Sequence, residues 1–195
     1  MPSTPDEYFR PYYRSREFPK TFPTRGHCNT LYAVWLVCHD PDTMFSILEH
    51  ISPLSMSKAV NLSIQFAKSV LHIAETNTAT AAILAAERWL SSPSSLTSQN
   101  SCDAANAAHN DGNCLSKGNI TSRTMARSGA NFTACFAAAT AWACGTERSN
   151  YSDYTASSAH AMRWALGGPE TRTETDWKIC EIIRKHIANP FSKPE

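Results

Sequence analysis

Four side chains in the C-terminal third have the types and spacing that suit ligand chemistry: Trp142, His160, Arg163 and Trp164. His160 and Trp164 stand four apart, so a helix puts them on one face with Arg163 adjacent. An imidazole, a guanidinium and two indoles lining a gap between helices would grip an anionic aromatic ligand such as a nucleotide. The plainer reading of the same residues is a core tryptophan beside a solvated arginine.

Other constellations are weaker. Tyr8, Tyr12 and Tyr13 alternate with Arg10, Arg14 and Arg16 near the N-terminus, a pattern of rings and cations suited to a partner. Stacking on single-stranded bases is one use of such a pattern. A net charge of +1, however, gives the chain no field for nucleic acid or for an acidic membrane. Asp40, Asp42, Glu49 and His50 are the one dense acid and histidine group, and helix capping accounts for the aspartates. His27-Cys28 and Cys38-His39 form a pair of pairs. A helix between them would hold the two ends about 15 Å apart, too far for one zinc ion. The seven cysteines include no C-x-x-C, so they read as small buried thiols. H-E-x-x-H, Walker A, G-x-S-x-G and G-x-G-x-x-G are all missing, so no catalytic set, metal or cofactor is expected.

The elements that must position these side chains are helices. Residues 130–168 are rich in alanine, the best helix former, with Phe132, Phe136, Trp142, Met162, Trp164 and Leu166 threaded between. Gly145 and the Gly167-Gly168-Pro169 run stop two helices, and Asn150, Ser152 or Asp153 caps the second. Ala141-Trp142-Ala143-Cys144-Gly145 and Arg163-Trp164-Ala165-Leu166-Gly167 end alike, with a weaker echo at Ala86-Glu87-Arg88-Trp89-Leu90. The echoes are compatible with repeated helical hairpins in which tryptophans fill the layers between Ala-rich faces.

Further elements follow in order. Residues 1–25 form a Pro-rich, aromatic, basic arm in which interior prolines forbid a long helix. Residues 30–38 read as a short apolar helix, with a strand left open by the β-branched residues. Residues 43–51 form the next helix, capped by Asp40 or Asp42. Residues 55–76 carry an amphipathic stripe through Val60, Ile64, Ala67 and Leu71, capped by Ser55 or Ser57. A helix over 78–90 comes next. The Ser/Asn-rich stretch 91–119 reads as an insertion, mostly loop around a short helix at 97–109, and as the place for a lid or a proteolytic nick. Residues 120–144 make the long helix, with a break expected near Ser128-Gly129. Residues 174–188 close the chain, acidic at the start and basic at the end as the macrodipole prefers. The expected fold is all-α: a compact antiparallel bundle of about six or seven helices, one domain over 26–191. No apolar run approaches the ~20 residues of a membrane span. No basic region followed by an apolar stretch opens the chain, so a cytoplasmic location is expected.

The run Trp35-Leu36-Val37-Cys38-His39-Asp40-Pro41, with Met44 and Leu48, resembles the opening of a group of bacterial Ala/Trp-rich helical proteins. The tail Arg184-Lys185-His186-Ile187-Ala188-Asn189-Pro190-Phe191 resembles their R-x-x-I-x-N-P-F ending. The Ala-rich middle is similar to the helical immunity proteins of polymorphic toxin systems. This likeness spans residues 33–191, though the present chain has fewer alanines, the 91–119 insertion and the extra arm. The resemblance implies an all-α fold and supplies no catalytic residues, and the function expected beside it is a non-catalytic interaction protein that neutralises a toxin or effector. The residues themselves leave two alternatives open: a bundle that binds a nucleotide-like small molecule, and an enzyme without a recognisable motif.

Overall fold

The computed structural model describes residues 31–117, 121–148, 150–167 and 171–191. These residues are all-α, with eight helices and no strand among them. The helices are α1 (Leu31–Val37), α2 (Pro41–His50), α3 (Met56–Ala74), α4 (Asn77–Ser91), α5 (Ser95–Lys117), α6 (Ser122–Gly145), α7 (Tyr151–Ala165) and α8 (Arg172–His186). The arm with Tyr8, Tyr12 and Tyr13, and the His27-Cys28 pair, lie outside the described residues.

The sequence places α6 at the centre. From Thr133 to Cys144 every residue is buried, the pattern of a helix surrounded by others. Helices α3, α4, α5 and α7 pack around it. Alanine along α6 lets their backbones come close, and the interior hydroxyls stay satisfied by turning back on their own helix. Thr133 donates to the Gly129 carbonyl at 2.7 Å and Thr140 to that of Phe136 at 2.8 Å. Ser63 and Thr140 meet across α3 and α6 at 3.1 Å. Each hydroxyl therefore avoids the cost of an unpaired buried polar group.

Contacts set the directions. Ser158 Oγ donates to the Thr133 carbonyl, and Phe136 faces Tyr154, so α7 runs against α6. Cys144 Sγ reaches the Met56 carbonyl while Ser63 meets Thr140, so α3 also runs against α6. Consequently α3 and α7 are parallel to each other, as Thr155 on Ala59 and Ser158 on Ser63 require. Helix α8 closes one side against α2, α3 and α7.

The caps follow local chemistry. Asp40 takes the N-cap of α2, accepting from the Asp42 and Thr43 amides ahead of Pro41 at the first turn. Ser55 caps α3, Thr76 caps α4, and Thr121 with Thr124 forms a capping box on α6. Asn150 precedes α7 without a side-chain cap hydrogen bond.

Three expectations are corrected. The stretch expected as loop around a helix at 97–109 is mostly α5, continuous from Ser95 to Lys117. Its small residues Ser98, Ser101, Cys102, Ala105, Ala108 and Gly112 recur at helical spacing and bury one face, while the hydroxyls of Ser98 and Ser101 bond back to the carbonyls of Ser94 and Thr97. The expected break near Ser128-Gly129 is unbroken helix. Finally, only two of the three echoed tryptophans fill layers. Trp89 and Trp142 are buried, and Trp164 is 49% exposed.

Candidate functional site

Helix α7 carries His160, Arg163 and Trp164 on adjoining positions of its last turns. The first two are drawn inward by carboxylates from other helices. Arg163 Nη1 lies 2.8 Å from His160 Nδ1. A guanidinium offers only donors, so Nδ1 accepts and the ring hydrogen of the neutral imidazole sits on Nε2. Nε2 is 3.2 Å from Asp42 Oδ1, which is also 3.6 Å from Arg163 Nη1. Arg163 Nε donates to Asp176 Oδ1, and Arg172 Nε stands 3.5 Å from Asp176 Oδ2. The side chains of Arg163, Asp42 and Asp176 are only 11–12% exposed. Asp42 comes from α2 and Asp176 from α8, so this cluster clasps three helices together. Two carboxylates balance two guanidinium groups, with the imidazole as a neutral bridge.

Trp164 points the other way. Beneath it Gly129 brings α6 against α7. A Cβ on Gly129 would lie 2.5 Å from the Ala165 amide nitrogen and 2.9 Å from Trp164 Cβ. This close approach fixes the base of the indole, which overhangs a half-open cavity of about 290 Å³. Ser116 of α5, Met125, Ser128 and Phe132 of α6, and His160 and Ala161 of α7 line it together with Gly129 and Trp164. Met125 is itself exposed. The hydrogen-bonding groups on this wall are already committed. Ser128 donates to the Gly112 carbonyl, Ser116 to that of Asn113, and both His160 nitrogens face Arg163 and Asp42. What remains open is apolar surface, aromatic on two sides.

Of the residues singled out in the sequence, the structure brings His160, Arg163 and Trp164 to one end of α7 and leaves Trp142 out. Trp142 lies at the far end of α6, since α6 and α7 are antiparallel, and packs under the Arg148 guanidinium at 4.4 Å. The gap expected between Trp142, His160 and Trp164 is therefore not formed. Nor does Arg163 reach for an anion, because Asp42 and Asp176 occupy it. Met125, Phe132 and Gly129 were missed by sequence reasoning. Gly129 was the available signal, a glycine inside a helical pattern, which marks close backbone approach as readily as a break.

A second cleft, about 240 Å³, lies between α2, the α2–α3 turn and α7, and includes Glu49, Leu54, Tyr151 and Asp153. Burial, together with the Glu49 charge, pushes the Asp153 carboxyl above its ordinary pKa. Tyr151 donates to the Leu54 carbonyl across this cleft. The Cys38-His39 half of the expected pair of pairs is otherwise engaged, His39 stacking on Trp177 at 4.1 Å. Among the described residues no group of three His, Cys, Asp or Glu is placed to hold a metal ion, and no helix is long and apolar enough to cross a membrane.

The chain matches no protein-family model, no curated protein and no solved structure.

Proposed function

We propose that this chain acts by binding, as an interaction protein whose recognition surface is the groove between α5, α6 and α7. The observation that carries this reading is Trp164. A large aromatic ring left half in water normally costs free energy, and here it is held in one place by the Gly129 contact beside exposed Met125. Preformed aromatic anchors of this kind dominate interface energetics and lose little entropy on binding. The partner side chain that fits is apolar, because the polar groups of the wall are spent internally. Neutralisation of a protein toxin or effector in the cytoplasm, as in the immunity proteins the sequence resembles, is the partner class we favour. Purification of the tagged full chain from its native cells tests this. A protein in stoichiometric amount is expected by mass spectrometry, and recovery of the chain alone would count against it.

A second reading is favoured by the size of the groove. A cavity of about 290 Å³ is at the lower end of small-molecule sites. Its ligand would be neutral and aromatic rather than nucleotide-like, since Arg163 is ion-paired within the fold. Titration with the neutral fluorophore N-phenyl-1-naphthylamine reads this directly. Saturable fluorescence enhancement supports it, and a linear, non-saturating response would contradict it.

A further inference from the structure

The thiols that remain after the groove is described are not alike. Cys135 and Cys144 are buried in the core, where burial pushes both thiols up, Cys144 to about 12. Cys114 is exposed on α5. Cys38 and Cys180 differ from all of these because they meet. Cys38 follows α1, Cys180 lies in the middle of α8, and the two thiols, 142 positions apart in sequence, are near enough to perturb one another's ionisation.

The surroundings hold the pair in place. Arg184, one turn beyond Cys180, donates from Nη1 to the Cys38 carbonyl at 2.7 Å and to the Trp35 carbonyl at 3.4 Å. Cys38 Sγ lies 3.4 Å from the Asp40 carbonyl. His39 stacks on Trp177 of the same helix. The segment carrying Cys38 is thus pinned to α8 on both sides of the thiol. Access is unequal: Cys38 is partly exposed and Cys180 fully buried. Reactivity is unequal in the same sense. The hydrogen bond from Cys180 draws the Cys38 thiol below its ordinary pKa, against the opposing effect of burial. The same bond, followed by burial and the Cys38 charge, pushes Cys180 up. An accessible thiol that ionises readily, backed by a buried protonated one, is the arrangement of an attacking and a resolving cysteine.

We propose that Cys38 and Cys180 are a reversible redox pair, oxidised by low-molecular-weight disulfides of the glutathione type. The Cys38 thiolate attacks one sulfur of the disulfide. A Cys38–glutathione mixed disulfide forms and one glutathione thiolate leaves. Cys180 then attacks Cys38 Sγ, its proton passing to the second departing glutathione. The protein loses two electrons and two protons overall, and one oxidised glutathione becomes two reduced ones. The product staples the segment after α1 to α8 and closes most of the chain into one loop.

The test uses the full chain with Cys114→Ser, which removes the exposed thiol. Reduced protein is treated with oxidised glutathione, and products are read by intact mass and by non-reducing peptide mapping. A loss of about 2 Da and a linked Cys38–Cys180 peptide are expected. Cys180→Ser is expected to stop at a glutathione adduct on Cys38. Cys38→Ser is expected to show neither adduct nor link at Cys180, and it carries the test alone if circular dichroism shows that Cys180→Ser does not fold. An adduct on Cys38 that never resolves in the parent chain, a link from Cys38 to Cys28, or an unreactive Cys38 would each overturn the proposal.

Discussion

Arg163 shows how little a residue's type reveals about its use. Its guanidinium looked like an anion grip in sequence, but Asp42 and Asp176 hold it. Neither aspartate is near it in the chain, and Asp42 was free for this role only because Asp40 took the cap of α2. Removing the guanidinium strands two nearly buried carboxylates. Arg163→Met is expected to cost about 3 kcal/mol of stability in urea denaturation. Arg163→Lys should recover only part of it, since an ammonium cannot bridge both aspartates and the imidazole with a planar fork. Trp164→Ala, by contrast, should leave stability within about 1 kcal/mol, because alanine keeps the Cβ that rests on Gly129. His109 gives a pH signature. Burial holds its imidazole below the ordinary value while its ring packs edge-on to Phe132 of the groove. The unfolded chain then takes up the proton first, so His109 contributes stability above the ordinary histidine pKa of about 6.5 that is lost as pH falls below it. His109→Leu should flatten the fall in Tm between pH 7 and 5.5, measured by thermal melts.

Glycine and small side chains matter most at the level of helix pairs. Only the middle of helix α5, 97–109, was legible as helix, because serine and asparagine, the usual mark of loops, dominate the stretch. Its stripe of Ser98, Ser101, Cys102, Ala105 and Ala108 has low hydrophobicity but low volume too, and it is the low volume that lets it lie close to its neighbours. A Cβ on Gly145 would fall 1.7 Å from Ser98 Oγ, the same hydroxyl that accepts from Trp89 Nε1. Gly145→Ala should therefore cost about 1–3 kcal/mol by overpacking. Gly129→Ala should cost at least as much, because there the obstructing atoms are backbone of α7 rather than a movable side chain. Both are read by chemical denaturation. Limited proteolysis checks α5 independently. Cuts within 95–117 should be slow, whereas the lid or nicking loop that the composition suggested would be cut first.

For the molecule as a whole, the architecture was legible and the site only in part. Alanine frequency and helix stops over 130–168 announced two close-packed helices, and α6 and α7 are those helices. The directions of the helices around α6 were not announced, and they decide the site. Because α7 runs against α6, Trp164 meets Gly129 and Phe132 rather than Trp142. The resemblance to immunity proteins was drawn from the Ala-rich middle, and the binding proposal rests on the Trp164 groove. The most direct test is a paired capture of wild-type chain and Trp164→Ala, with equal folded amounts and quantitative mass spectrometry of bound proteins. Loss of the stoichiometric partner by tenfold or more, about 1.4 kcal/mol, is the expected result. Equal recovery of that partner by both chains would contradict the groove as the recognition surface.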